Sequence, residues 1–157
     1  MRCDKARIGP VVVGAGAPLA LIAGPCVIES EEHTLRVASA VKRICEGLHL
    51  PLVFKASFDK ANRSSIESFR GPGFDEGLSI LGRVRKQLDV PILSDIHLPD
   101  QAPAAGEVLD CLQVPAFLCR QTDLLVAAAR TDRCVNVKKG QFMSPEEMAN
   151  VAGKLAE

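Results

Sequence analysis

The stretch Pro51-Leu52-Val53-Phe54-Lys55-Ala56-Ser57-Phe58-Asp59-Lys60-Ala61-Asn62-Arg63-Ser64-Ser65 passes abruptly from apolar to cationic. Leu52–Phe54 reads as a buried strand with Lys55 at its tip. From Lys55 to Ser65, three cations, one amide and three hydroxyls crowd into eleven residues. Donors at this density suit a ligand with more than one phosphate or carboxylate group. A solvated basic loop would explain an arbitrary Lys/Arg cluster just as well. Two details favour a site. Lys55 belongs to the strand's own end, and the loop after it runs about 15 residues where a βα connection usually takes 2–6. Long loops at strand tips are more often functional.

Downstream, Phe74 to Leu88 reads as a helix with Leu78, Leu81, Val84 and Leu88 on one face, weakened by Gly77 and Gly82. The same strand–helix alternation recurs along the chain. Two short strands, Ile8–Val13 and Leu19–Ala23, are expected on either side of a Gly/Pro turn. Ser30 caps a helix whose first turn holds Glu31 and Glu32. Val90–Leu93 is a strand ending in Ser94-Asp95-Ile96-His97; Asp100–Glu107 is a short helix and Val108–Val114 a strand. Gln121–Arg130 is a helix, Cys134–Lys138 a strand, and Ser144-Pro145-Glu146-Glu147 starts a last helix with a capping box. The whole chain, 1–157, reads as one domain: a hairpin region over 1–18, then five β/α units over 19–157. On spacing alone a five-stranded doubly wound sheet leads a (β/α)8 barrel, because eight such units need roughly 250 residues.

Composition narrows the function classes. Lys+Arg and Asp+Glu both number 19, and Trp and Tyr are absent, so nothing favours nucleic acid or an anionic membrane. Six cysteines show no CxxC spacing and are too few for a disulfide scaffold, which fits a reducing cytoplasm. Val11 to Ile28 is uncharged and follows Arg2, Lys5 and Arg7, as in a signal peptide. Pro10, Pro18 and Pro25, with Gly14, Gly16 and Gly24, would break a helix there, and Pro25 is wrong for a small-residue cleavage site.

The residues just past each strand share a character: Cys26, Lys55 with Ser57, Asp95 with His97, Gln113, and Lys138. Both parallel architectures build their site on that face. Singly, each has a plainer reading: His97 as a packed histidine, Asp95 as a turn cap, Cys26 as a core thiol. Lys55 and Lys138 resist one, because a lysine at a buried strand tip is costly unless an anion meets it.

Several segments together resemble the 3-deoxy-D-manno-octulosonate-8-phosphate synthases. They are Leu21-Ile22-Ala23-Gly24-Pro25-Cys26-Val27-Ile28-Glu29-Ser30, the Phe54–Ser65 string above, Phe69-Arg70-Gly71-Pro72-Gly73, Gln113-Val114-Pro115-Ala116-Phe117-Leu118 with Arg120-Gln121-Thr122-Asp123, and Asn136-Val137-Lys138-Lys139. The resemblance implies a homotetrameric TIM barrel, (β/α)8, with an N-terminal hairpin closing its bottom. It implies a cytoplasmic transferase condensing phosphoenolpyruvate with D-arabinose 5-phosphate and water, a step toward lipopolysaccharide. By motif match, Lys55, Ser57, Lys60 and Gln113 hold the phosphoenolpyruvate carboxylate, and Lys138 with the Ala116 N–H its phosphate. Asn62 and Asp95 meet the sugar hydroxyls; Arg63 and Ser64 meet the 5-phosphate across a subunit interface, which Phe117 also approaches. Lys60, Asn62 and Asp95 are the catalytic candidates. Cys26 implies the metal-dependent branch, with a divalent Zn, Fe or Mn ion.

Against that pattern the chain is short. It stops after the fifth unit, so the barrel is expected to be incomplete, the remaining metal ligands absent and the isolated chain weak or inactive. A non-catalytic remnant that binds other subunits is the alternative. A five-stranded phospho-receiver module, with Asp95 as acceptor and Lys138 as its partner, is disfavoured because Gly24-Pro25-Cys26 lacks the acidic pair needed for Mg²⁺.

Overall fold

The computed structural model describes residues 5–157; Cys3 lies outside them. Strands β1 (Lys5–Ile8) and β2 (Val11–Gly14) form an antiparallel hairpin. Five parallel strands follow: β3 (Leu21–Ala23), β4 (Leu52–Lys55), β5 (Ile92–Asp95), β6 (Cys111–Val114) and β7 (Cys134–Val137). Helices α1 (Glu31–Gly47), α2 (Phe74–Leu88), α3 (Ala102–Val108), α4 (Thr122–Ala129) and α5 (Met148–Lys154) alternate with them, and each packs beside the next. No described helix is long and apolar enough to cross a membrane.

Strand order decides between the two architectures. The sheet runs β3-β4-β5-β6-β7 with no reversal. A doubly wound sheet reverses direction part-way across, at the point where its ligand binds. A wall in which every strand adds beside its predecessor is the winding of a barrel. Five strands of such a wall are present, and the outer edges of β3 and β7 carry no further strand among the described residues.

The hairpin corrects one expectation. Its turn is at Gly9-Pro10, so Ile8 pairs with Val11, and the run read as one strand, Ile8–Val13, is divided between β1 and β2. Gly9 takes a positive φ of 55°, which the tight reversal needs. Leu21 pairs with Leu52 in the parallel sheet. Other boundaries move by a few residues: Val108 closes α3 rather than opening a strand, and β5 extends through Asp95. The capping box forms between Ser144 and Glu147, yet the helix proper begins at Met148.

Period-two alternation sorts the strands into two faces. Outward, Leu52, Phe54, Ile92, Leu112 and Val114 join the large core beneath the helices, with Leu81, Val84 and Leu125. Inward, Val53, Leu93 and Cys111 form a smaller cluster closed from below by Ile8 and Val11 of the hairpin. Strands apolar on both faces are what a parallel sheet requires. At the base, Asp110 is buried but satisfied, accepting from Arg85 Nη2 at 2.7 Å and from the Ile92 N–H at 2.9 Å.

Candidate functional site

Two residues further along each inward face the chemistry changes. Val53 gives way to Lys55, Leu93 to Asp95, Cys111 to Gln113 and Cys134 to Asn136. Register aligns three of these: Asp95 pairs with Gln113, and Gln113 with Asn136. The lower layer is apolar because the hairpin covers it, and the upper layer is polar because it opens at the strands' C-terminal ends.

There the chain encloses a cavity of about 660 Å³. Its walls include Cys26, Lys55, Lys60, Asn62, Asp95, His97, Gln113, Ala116, Phe117 and Lys138. Four lysines (55, 60, 138 and 139) face two aspartates (59 and 95) in this wall, leaving it net positive. A concave basin with this balance concentrates small anions.

Asp95 is the hub. It accepts from Ser57 Oγ at 2.6 Å, and a side-chain hydrogen bond joins it to Gln113 Nε2. Its Oδ2 lies 3.8 Å from Lys55 Nζ and 3.9 Å from Lys60 Nζ. Lys55 Nζ donates to Ser57 Oγ at 2.6 Å, and Asn136 Nδ2 donates to Gln113 Oε1 at 2.8 Å. Burial pushes the Lys55 ammonium down to about 8 from its usual 10.5, with Asp95 opposing the shift. His97 is also held below its ordinary value, chiefly by burial and against the pull of Asp95. Its Nδ1 is a buried nitrogen without a partner among the described residues.

Residues 56–73 form the long loop over this rim. Its stem is pinned by Lys60 N–H to Arg70 O at 2.7 Å, and Arg70 also grips Asp59 through two side-chain bonds. Phe58 is the loop's apolar anchor, edge-on to Phe74 at 5.2 Å and to His97 at 5.7 Å. Gly77 is explained here. A Cβ at that position would stand 2.2 Å from Phe58 Cβ, so the glycine that weakens α2 also lets it reach the loop.

Of the residues singled out in the sequence, Lys55, Lys60, Asn62, Asp95, Gln113, Ala116, Lys138 and Cys26 border the one cavity. Ser57 lies just behind it, fully buried. Arg63 and Ser64 are exposed on the loop outside the lining, with Arg63 Nε donating to Phe69 O at 3.3 Å. Sequence reasoning assigned no role to Asn136, which orients Gln113, or to Asp59, Lys139 and Gln141 in the wall. Only register could have exposed Asn136. Among the described residues no three His, Cys, Asp or Glu side chains gather closely enough to hold a metal ion. Cys26 is an exposed, single thiol donor in the wall, too little for a metal site by itself.

A family model described as the DAHP synthetase I family matches residues 4–157. The 2-dehydro-3-deoxyphosphooctonate aldolase of Trichlorobacter lovleyi is 63% identical over 149 residues, covering 95% of this chain and 55% of its own length. The protein of the same name from Geobacter sp. strain M21 is 60% identical over 149 residues, with 95% and 55% covered. That from Geobacter sulfurreducens is 61% identical over 148 residues, with 94% and 54% covered. The chain spans about half the length of the curated relatives it matches.

Proposed function

This chain belongs to the DAHP synthetase I family, and on that premise we propose that it supplies the phosphoenolpyruvate-binding wall of a 3-deoxy-D-manno-octulosonate-8-phosphate synthase. The reaction joins carbon 3 of phosphoenolpyruvate to the aldehyde carbon of D-arabinose 5-phosphate. Water adds at carbon 2, and inorganic phosphate leaves. The single observation that carries the reading is the convergence of Lys55, Lys60, Asp95, Gln113 and Lys138 on one cavity at the strands' C-terminal ends.

The residue roles follow from charge and reach. Lys55 and Lys60 flank the carboxylate position, with Ser57 and Gln113 as neutral donors beside them. Lys138, at the far wall, and the Ala116 N–H take the phosphate. Fixed cations in a partly desolvated basin stabilise charge that shifts during the reaction without having to reorganise. Asp95 and Asn62 accept and donate to the sugar's hydroxyls, which holds the aldehyde against carbon 3. Arg63 and Ser64, on the loop outside the lining, meet the sugar 5-phosphate in a tetramer, and Phe117 borders the same junction. The free cysteines among the described residues suit a reducing cytoplasm. A divalent ion held through Cys26 would supply Lewis-acid chemistry and would draw its other donors from outside the described residues. No step above depends on it.

Calorimetric titration of the chain with phosphoenolpyruvate tests the reading. Saturable binding that pyruvate does not reproduce is expected, because pyruvate lacks the phosphate that Lys138 meets. A flat titration at millimolar ligand overturns it. It would leave the second reading, a subunit-binding piece without turnover, which the outer edges of β3 and β7, carrying no further strand among the described residues, favour.

A further inference from the structure

Cys111 in β6 and Cys134 in β7 are register partners in adjacent parallel strands. Both face inward, one step of the two-residue repeat below the hydrogen-bonded pair Gln113 and Asn136. Cys111 is fully buried beside Ile8 and Val11, and the partly exposed Cys134 packs against the same cluster. Both are free thiols. Paired strands lie about 4.7–4.9 Å apart, inside the roughly 4.4–6.8 Å between Cα atoms that a disulfide spans. No other described cysteine has a cysteine register partner: Cys45 is on α1, Cys26 and Cys119 are in loops, and Cys119 contacts the Met143 sulfur at 3.2 Å.

We propose that Cys111 and Cys134 form a dithiol modification site, which hydrogen peroxide converts into an intrachain disulfide beneath the cavity floor. The chemistry balances within the pair. The Cys134 thiolate attacks one peroxide oxygen, the O–O bond breaks, and the departing hydroxide takes a proton to become water. Cys134 is left as a sulfenic acid. Cys111 sulfur then attacks Cys134 sulfur, the S–O bond breaks, and a second water leaves with the Cys111 proton. Two thiols are oxidised and one peroxide is reduced.

The division of labour follows from the surroundings. Cys134 is the more accessible, and the neighbouring Cys111 thiol lowers it to about 7, against the effect of burial. The same proximity, reinforced by burial, pushes Cys111 up. A thiolate is the form that attacks. Closure must draw the two Cβ atoms to about 3.8 Å, nearer than the strand spacing sets, so the bond is strained and readily reduced.

The test treats the full chain with hydrogen peroxide under native conditions, then alkylates it in denaturant and maps cysteines by mass spectrometry. Expected is a linked pair of peptides containing Cys111 and Cys134, on a monomeric chain, that dithiothreitol separates. Cys134→Val should leave Cys111 fully alkylated at the same peroxide dose. Alkylation of both cysteines after peroxide overturns the proposal. So does Cys134 sulfinic acid with Cys111 still free, or a linkage between chains. The wild-type map decides the matter even if the variant does not fold, and it is independent of phosphoenolpyruvate binding.

Discussion

Lys55 Nζ stands 3.8 Å from Asp95 Oδ2, beyond hydrogen-bond reach, and Ser57 Oγ fills the interval at 2.6 Å from each. The hydroxyl passes its proton toward the carboxylate while accepting from the ammonium. This makes the three side chains, with Lys60, one electrostatic unit at the base of the cavity. A ligand carboxylate entering there competes with Asp95 for cations that are already aligned.

Removing the hub should therefore destabilise the fold. Asp95→Ala leaves Lys55 and Lys60 close together without their counter-charge and strips Ser57 and Gln113 of an acceptor. Breaking a buried pair costs about 3–5 kcal/mol; with the lysine side chains 17% and 16% exposed, water offsets part of it. A loss of about 2–3 kcal/mol is expected in urea unfolding at neutral pH. Asp95→Asn, which removes the charge but keeps an acceptor oxygen, should lose part of this. Equal losses for the two variants would assign the whole effect to the charge, whereas wild-type stability in Asp95→Asn would contradict the charge argument.

Phosphoenolpyruvate affinity should depend on pH through Lys55. Its pKa in the folded chain is lowered to about 8, so the cation is full below that value and vanishes above it. Affinity should stay level as pH rises toward 8, then decline, and Lys55→Met should bind more weakly with that decline removed. Stability runs the other way. Between about 8 and the usual 10.5 the unfolded chain holds more protons at this group than the folded one. The Lys55 contribution therefore becomes less unfavourable as pH rises through that window. Calorimetry across pH 6.5–9.5 reads the affinity.

Lys138 and Lys139 should differ although they are neighbours. Lys139 Nζ is occupied by the Gly140 and Met143 carbonyls at 3.0 and 2.9 Å, whereas Lys138 has no side-chain partner among the described residues. Lys138→Met should weaken phosphoenolpyruvate binding about tenfold or more, the equivalent of one charge-assisted hydrogen bond at ~1.4 kcal/mol. Because the group is exposed, the loss should shrink at high salt. Wild-type affinity in Lys138→Met would remove it from the phosphate site.

Gly77→Ala sets two effects of opposite sign against each other. Alanine gains about 1 kcal/mol of helix propensity over glycine. The new methyl, however, would sit 2.2 Å from Phe58 Cβ and 3.1 Å from its Cα. Overpacking of this kind costs about 1–3 kcal/mol, so net destabilisation is expected in a denaturant titration. Gly82→Ala on the same helix meets only Val108 Cγ1 at 3.5 Å and should be neutral or stabilising.

The sequence alone was enough to determine the alternation of strands and helices, the rim of polar residues after each strand, and the cationic loop from Lys55 to Ser65. These are local properties: a strand announces itself by an apolar run, and its tip by the residue at which that run stops. The motif match further identified the family. Three things waited on tertiary structure. The first is the unreversed strand order, which bears out the barrel that the motif match implied where spacing favoured a doubly wound sheet, because spacing within one strand carries no trace of which strands meet. The reversal inside Ile8–Val13 is hidden because the residues on both sides of Gly9-Pro10 are apolar, and only the pairing of Ile8 with Val11 shows the turn. Asn136 and the Cys111–Cys134 contact arise from register between strands more than 20 residues apart in sequence, and hydrogen bonds across a sheet are set by the packing of the whole wall.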